Sequence, residues 1–300
     1  MDFNRDYLLQ SPIFAPLHPV IATLMTERFP GLEELNAQLL AHPIAVQTGR
    51  ELRFVEQAAG KLAFEAQYEP RCYLTGEVQT RRDNWHDLLN ALVWLTFPMA
   101  KAAINARHYR ALTASAPQTH SQRGATRDTN TLLDESGVIV AYADDELAGL
   151  LRNFQWRELF WQRREQVQSS RFDRAFLSEA EGLRTGMGFY LFGHGLYEKS
   201  LRPYIGMTGQ GLLLAVEQEF FDWSKMQQLA YLDSRVADYL ADPGHCLSTG
   251  ELSPVPLLGV PGWWASNEFA TFYDNTAYFR PGRRKSVASG ISGMNRGAEE

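Results

Sequence analysis

The stretch that decides the fold is residues 81–108, RRDNWHDLLNALVWLTFPMAKAAINARH, an apolar run between two polar ends. Asn84 can cap a helix that runs through Leu95, because its side chain can accept hydrogen bonds from the free amides of the first turn. Pro98 is placed where a second helix can begin, since that position needs no amide. An interior proline breaks a helix, so the pattern predicts two helices that fold back at Phe97–Pro98.

The two helices carry residue types that bind metals. Asn90 lies four positions after His86 and three after Asp87, so these side chains can share a helix face, and Asn105 and His108 are related in the same way. One continuous helix would hold His86 and His108 about 33 Å apart, whereas a fold-back brings both ends to one level. Imidazole and carboxylate groups together suit a divalent metal such as zinc, iron or manganese. We therefore expect His86, Asp87 and His108 to be metal ligands.

Two other interpretations of this segment stay open. The pair His86-Asp87 resembles the ligand pair of the helical HD phosphohydrolases, whose earlier His and later Asp would here be His42 and Asp134. In a purely structural interpretation, His86 forms hydrogen bonds within the helix pair and Asp87 pairs with Arg82.

A second His/carboxylate pair lies further along the chain. His194 and Glu198 are four positions apart, which puts both on one helix face and can supply two ligands to zinc or iron. Asp134 and Glu135 precede a predicted tight turn, where a carboxylate can complete a metal site or act as a general base. We expect His194 and Glu198 to be further metal ligands, and Asp134, Glu135 and Lys199 to be the catalytic residues.

The segment between Asp87 and Asp128 contains no acidic residue in 40 positions. The net charge of −6 and the pI near 5.7 argue against a protein that coats nucleic acid or an anionic membrane with its whole surface. This segment is therefore a local basic island, unless its cations pair with the acidic residues that follow. Arg123 and Arg127 on a Gly-containing loop suit bidentate oxyanion contacts. The candidate substrate-binding residues are Arg82, Asn90, Asn105, Arg123 and Arg127.

The fold class that we predict is α+β, predominantly helical, with two small β-hairpins and an irregular aromatic-rich C-terminal segment. The first hairpin joins Leu52–Gln57 to Lys61–Gln67, and the second spans Thr131–Tyr142 and turns at Glu135-Ser136-Gly137. Thr113–Asp128 is predicted to be a loop. Further helices are predicted at Pro19–Phe29, Gly31–Ala41, Asp144–Arg164, Asp173–Leu183, Gly193–Leu201 and Ser224–Ala241.

The C-terminal segment contains seven aromatic rings within 17 positions. Such rings can stack on a base or a sugar, but their large burial energy favours packing across the fold. Residues 1–282 are predicted to be a single integrated unit, with a possible subdivision near 115–128, and residues 283–300 a flexible tail. We call this aromatic set the strap; it comprises Trp263, Trp264, Phe269, Phe272, Tyr273, Tyr278 and Phe279.

The sequence lacks the patterns of a thiolate zinc protein, a secreted protein and a membrane-spanning protein. Cys72 and Cys246 lie 174 positions apart and form no CxxC pair, which excludes a thiolate zinc knuckle. The N-terminus has acidic residues where a signal peptide has a basic start. The longest uncharged apolar stretch, residues 91–100, is about half of what spans a bilayer. We expect a cytoplasmic protein that does not bind a membrane.

Several motifs together resemble the bacterial family called domain of unknown function 3025. The resemblance covers nearly the whole chain to about Arg284 and implies a bacterial origin and one integrated unit. It implies no reaction, so it assigns no catalytic residue. The motifs are Asn84-Trp85-His86-Asp87, Phe97-Pro98, Asn105 with His108, Thr131–Gly137, Phe192-Gly193-His194, Glu198-Lys199, Pro203-Tyr204 and Gly259-Val260-Pro261-Gly262-Trp263.

Two functional hypotheses follow from the residues. In the first, the protein is a metal-dependent hydrolase that acts on a phosphate-bearing substrate such as a nucleotide or a nucleic-acid end. Asp134 or Glu135 then activates water, while Arg123 and Arg127 hold the oxyanion. In the second, the protein is not catalytic, and a basic groove with the strap binds an anionic small molecule or nucleic acid.

Overall fold

Helices account for most of the chain that the computed structural model describes: residues 3–24, 28–58, 60–114, 120–167 and 184–282, without the side chains of residues 120–123 and 125–126. The helices are α1 (Arg5–Gln10), α2 (His18–Ile21), α3 (Leu32–Ala41), α4 (Tyr68–Thr75), α5 (Trp85–Thr96), α6 (Pro98–Thr113), α7 (His120–Ser136), α8 (Asp145–Arg152), α9 (His194–Ser200) and α10 (Lys225–Ala241). The strands are β1 (Arg53–Glu56), β2 (Glu77–Thr80), β3 (Gly137–Tyr142), β4 (Met187–Leu191), β5 (Thr208–Ala215) and β6 (Ser253–Pro256). The α+β class predicted from the sequence is confirmed.

The break between α5 and α6 lies where the sequence predicts it. Asn84 caps α5, since its side chain accepts a hydrogen bond from the Asp87 amide at 3.0 Å. Pro98 is the first residue of α6, and the two helices meet at a bend of 115°. Among the described residues no single helix is long and apolar enough to cross a membrane, although α5 and α6 pass that test when taken together.

A four-stranded mixed sheet forms the centre of the fold, in the order β4-β3-β5-β6. β3 pairs antiparallel with β4, where Val138 faces Leu191, and parallel with β5, where Ile139 faces Leu212. The sequence of β3, GVIVAY, is a continuous apolar run and is buried over its first five residues. Such a run is typical of a strand that is covered on both faces.

Both predicted hairpins are wrong, because strand pairing is decided by contacts distant in sequence. β1 pairs in parallel with β2, with Phe54 opposite Val78, and the stretch Lys61–Gln67 contains no strand. In the second predicted hairpin, residues 131–136 are not a strand but the end of helix α7. The chain passes directly from this helix into β3. The predicted loop Thr113–Asp128 is likewise helical from His120 onward, since α7 packs against α6 and α9.

Other predicted helices have mixed outcomes. Those at Gly193–Leu201 and Ser224–Ala241 are confirmed as α9 and α10. The helix predicted over Asp144–Arg164 ends as α8 at Arg152, and Glu158–Gln162 then forms a separate π-helical turn. The helix predicted at Asp173–Leu183 and the predicted tail lie outside the described residues.

The strap mostly packs into the core. Trp263, Tyr273, Tyr278 and Phe279 are each less than a tenth exposed, whereas Phe269 is 66% exposed. The Tyr278 hydroxyl donates to the Met207 carbonyl at 2.7 Å, which ties the segment to the start of β5. A hydrophobic cluster of buried residues runs from Phe3 to Phe279, so the C-terminal aromatics complete the same core as the N-terminal helices.

A buried carboxylate at the start of α6 makes the stability depend on pH. Asp233 of α10 accepts hydrogen bonds from the amides of Met99 and Ala100 at 3.0 and 2.8 Å. Burial outweighs these bonds and raises the pKa of Asp233 from 3.8 to about 6. Because the folded-state pKa exceeds the unfolded value, the protein should lose up to about 3 kcal/mol of stability as the pH rises through that interval.

Urea unfolding of the wild type and Asp233→Asn between about pH 4 and pH 7 measures this effect. The asparagine can still accept a hydrogen bond but does not ionise, so the stability difference between the two proteins should change over this range. Parallel pH profiles would contradict the assignment.

Candidate metal centre

The strand pairing brings two helix ends together at one edge of the sheet. Because Val138 faces Leu191 in an antiparallel pair, the residues before β3 meet the residues after β4. The amides of Phe192 and Gly193 both donate to the Gly137 carbonyl, at 3.0 and 2.9 Å. Glu135 in the last turn of α7 therefore lies beside His194, the first residue of α9.

Helix α5 adds the third member of the cluster, because it packs against α9. The Nε2 atoms of His86 and His194 are 3.1 Å apart, and Glu135 Oε1 lies 3.4 Å from His194 Nε2 and 3.9 Å from His86 Nε2. A tetrahedral ion with bonds of about 2.0–2.1 Å spaces its ligand atoms about 3.3–3.4 Å apart. The circle through the three atoms has a radius of about 2.0 Å, so one ion can reach all of them.

Each histidine has a carboxylate on the side away from the cluster. His86 Nδ1 is 2.9 Å from Glu198 Oε2. His194 Nδ1 is buried with no hydrogen-bond partner among the described residues, and Asp134 Oδ2 lies 3.8 Å from it. Metal-binding histidines usually donate their second N–H to a carboxylate, which fixes the ring and the tautomer. His86 is held in this way, whereas His194 Nδ1 is too far from Asp134 for a direct hydrogen bond. The Nε2 atoms of both histidines lie in the cluster.

Asp134 is held in turn by the buried ammonium of Lys101, whose side chain is only 3% exposed. Burial raises the pKa of Asp134, but Lys101 and His194 outweigh that effect and hold the pKa at about 2. The pKa of Glu135 is also lowered, chiefly by its hydrogen bond with His194. Both carboxylates are therefore ionised at neutral pH, as a cation site requires.

Two glycines give the cluster its room. A Cβ on Gly195 would lie 2.2 Å from Glu135 Oε2, so a side chain there would displace the carboxylate. A Cβ on Gly193 would lie 2.5–2.6 Å from backbone atoms of Glu135, Ser136 and Gly137. The close approach of α9 to the end of α7 thus depends on glycine at both positions.

The cluster opens into a cavity of about 270 Å³, whose wall includes His86, Glu135 and His194. Much of the remaining wall comes from α4, β2 and α5. Burial raises the pKa of Glu69 there, against the opposing effect of His108. The other wall residues used below are Tyr68, Glu69, Gln79, Arg81, Asp87, Asn90 and Asp134.

Of the five predicted ligands, the structure places His86 and His194 in the cluster. Glu198 contacts His86 and is a partner of that ligand rather than a ligand itself. Asp87 lines the cavity but accepts three hydrogen bonds from Arg81 at 2.7–2.9 Å, one from the backbone amide and two from the guanidinium. Asp87 therefore pairs with Arg81 and not with Arg82. His108 is buried on α6 and lies outside the cluster.

Of the three predicted catalytic residues, only Glu135 is a member of the cluster. Glu135 joins the cluster, although it was expected to be a base, and Asp134 lies behind His194. Lys199 is exposed and is neither part of the cluster nor one of the residues that line the cavity. Sequence spacing fails here because neighbouring helix residues differ in direction by about 100°.

The predicted substrate-binding residues are dispersed. Asn90 lines the cavity and donates to the Tyr68 hydroxyl at 2.6 Å, while Asn105 donates to the Glu69 carboxylate behind the wall. Arg82 is exposed beside Glu56, Arg127 is exposed, and the side chain of Arg123 lies outside the described residues. The basic island is also divided, because Lys101 is buried against Asp134 and Arg107 binds backbone carbonyls near the end of α10.

Six wall residues were not predicted to belong to the site: Gln57, Leu62, Tyr68, Glu69, Gln79 and Arg81. None lies in a motif with a recognisable spacing, and the parallel pairing of β1 with β2 could not be predicted from local sequence. One local signal was present, since Arg81 precedes the cap Asn84 closely enough to reach the first-turn carboxylate of α5.

A His/His/Glu cluster with carboxylate-supported imidazoles at the edge of a polar cavity defines a candidate metalloprotein of α+β class. The chain belongs to the family described as "Protein of unknown function (DUF3025)", whose model matches residues 52–283. That range contains every residue of the cluster and of the cavity wall described above. Neither the curated proteins nor the solved structures gave a match.

Proposed function

We propose that this protein is a metal-dependent hydrolase whose ion is held by His86, Glu135 and His194. The observation that carries the proposal is the spacing of the three donor atoms, which one ion of ordinary bond length can bridge. Two imidazoles and one carboxylate suit zinc, iron or manganese.

The open side of the cluster supports hydrolysis. Three protein ligands leave a coordination position for water, and a divalent ion lowers the pKa of a bound water towards neutrality. All three ligands line the cavity, so a substrate there reaches that position. Glu69 lies in the same wall, and burial raises its pKa, which suits a group that accepts and returns a proton.

The phosphate-bearing substrate predicted from the sequence stays a prediction, and so does the non-catalytic alternative. Among the described wall residues the one guanidinium is that of Arg81, already paired with Asp87. The strap is largely buried, so it offers little stacking surface for a base. These contacts favour the hydrolase, and they favour a substrate that does not depend on a basic groove.

Elemental analysis of protein purified without a histidine tag tests the proposal. We expect stoichiometric zinc, iron or manganese in the wild type and its loss in His86→Ala and His194→Ala. His42→Ala is the matched control, because His42 is exposed at the end of α3 and should retain the metal. Absence of metal from the wild type, together with no rise in melting temperature on adding these ions, would overturn the proposal.

A further inference from the structure

The cavity wall is rich in hydrogen-bond acceptors and carboxylates. Four carboxylates line the cavity: Glu69, Asp87, Asp134 and Glu135. Arg81 pairs with Asp87 and Lys101 pairs with Asp134, while Glu135 faces the two imidazoles. Within the described part of the chain no lysine or arginine forms a salt bridge with Glu69, although it receives a hydrogen bond from Asn105.

Two amide side chains of the wall add unpaired acceptors. Gln79 and Asn90 are 5% and 6% exposed. The Gln79 amide nitrogen donates to the Ala66 carbonyl at 3.0 Å, which fixes the orientation of the amide and leaves Oε1 without a partner among the described residues. Asn90 donates to the Tyr68 hydroxyl, and its Oδ1 is also without a described partner. A buried oxygen left without a donor costs about 1–3 kcal/mol, so a ligand whose N–H groups reach these two oxygens would offset that cost.

We infer that the substrate of this site is a small molecule with a positively charged nitrogen group, an ammonium or a guanidinium, bound against Glu69, Gln79 and Asn90. The inference rests on the proposed function and names its substrate class. An ammonium offers three donors and a guanidinium five, and neither offers an acceptor, which complements this wall. A phosphate group offers acceptors only and would meet acceptors and carboxylates. The volume of about 270 Å³ admits a metabolite rather than a folded polymer.

The test compares three probes that share an acetamide and an alkyl chain: N-(4-aminobutyl)acetamide, uncharged N-butylacetamide, and 4-acetamidobutyl phosphate. Ligand-observed NMR titrations measure their binding to zinc-loaded and to metal-free protein. We expect the amine to bind about tenfold more tightly than the uncharged probe, because it gains one charge-assisted hydrogen bond. The phosphate probe should bind more weakly than the amine.

Variants of Glu69 and Gln79 test whether these wall residues cause the preference for the amine probe. Glu69→Gln retains an oxygen for the Asn105 amide but removes the charge, so the preference for the amine should fall to within about threefold of the uncharged probe. Gln79→Met should reduce amine binding as well, because it removes the unpaired oxygen. Glu65→Gln is the control: it makes the same change at an exposed position four residues away and should retain the wild-type preference. Circular dichroism melting confirms that each variant is folded.

The outcomes separate the two proposals. If metal is bound stoichiometrically but the phosphate probe or the uncharged probe binds as tightly as the amine, the substrate inference is wrong and the metal site stands. If the amine preference is present in metal-free protein and depends on Glu69 while elemental analysis finds no metal, the cation site stands and the hydrolase proposal fails. An amine preference unchanged in Glu69→Gln would also overturn the inference.

Discussion

Replacing Gly195 with alanine should remove the metal without altering any ligand. The new Cβ would lie 2.2 Å from Glu135 Oε2, which is the free end of a flexible side chain and can move away. It would also lie 3.1 Å from the Glu135 backbone oxygen, which needs to shift by only a few tenths of an ångström. Removing a residue that only hydrogen-bonds to a metal ligand typically lowers metal affinity about 10- to 100-fold. Loss of a ligand itself should cost more, so we expect metal affinity to fall at least about 100-fold. The fold should persist, since alanine favours a helix over glycine.

Competition against a zinc-binding dye measures the affinity, and a circular dichroism melting curve reports the fold. Gly149→Ala in α8 is the matched control, because nothing lies within 4 Å of a Cβ at that helical position. That variant should bind metal like the wild type and should gain up to about 1 kcal/mol of stability. Wild-type affinity in Gly195→Ala would mean that Glu135 does not hold the ion.

Replacing Lys101 with methionine should destabilise the metal-free protein by about 3–5 kcal/mol. Lys101 is 3% exposed and is the ammonium that compensates Asp134, so its removal leaves a buried carboxylate without its ion-pair partner. Denaturant unfolding in the presence of a chelator measures the loss without a contribution from bound metal. Lys61→Met, at an exposed position, should change the stability by less than about 0.5 kcal/mol.

A double variant distinguishes the ion pair from simple packing. Lys101→Met with Asp134→Leu removes both charges, so much of the lost stability should return. The metal affinity should stay about 10- to 100-fold low, because His194 then lacks the carboxylate behind its Nδ1. A double variant as unstable as the single one would show that the charge of Asp134 is not the cause.

The sequence predicted local structure well where the signal was a cap or a break. Asn84 and Pro98 act through groups within a few residues of themselves, so α5 and α6 could be placed from the chain alone. The pairing of β1 with β2 could not, because residues 61–67 alternate like a strand, while the actual partner comes later, after α4. Local alternation does not specify which strand is the neighbour.

The candidate site was predictable by residue type but not by role. Histidines and carboxylates of the correct segments were identified, yet Glu198 was assigned to the ion and instead supports His86. Asp87 was expected to be a ligand, and its position in the first turn of α5 places it within reach of Arg81. Such assignments need the relative placement of α5, α7 and α9. The β3–β4 pairing positions α7 and α9, and α5 packs against α9.

The adjacency of Asp134 and Glu135 ties the arrangement of the cluster to the length of the chain before β3. Glu135 faces the two histidines of the cluster, Asp134 lies behind His194, and the helix directs the two carboxylates apart by about 100°. Adding or deleting one residue just before β3 would turn the wrong carboxylate towards the histidines, whereas many single substitutions elsewhere in α7 would leave both in place. The number of residues between this carboxylate pair and β3 therefore decides which carboxylate faces the histidines.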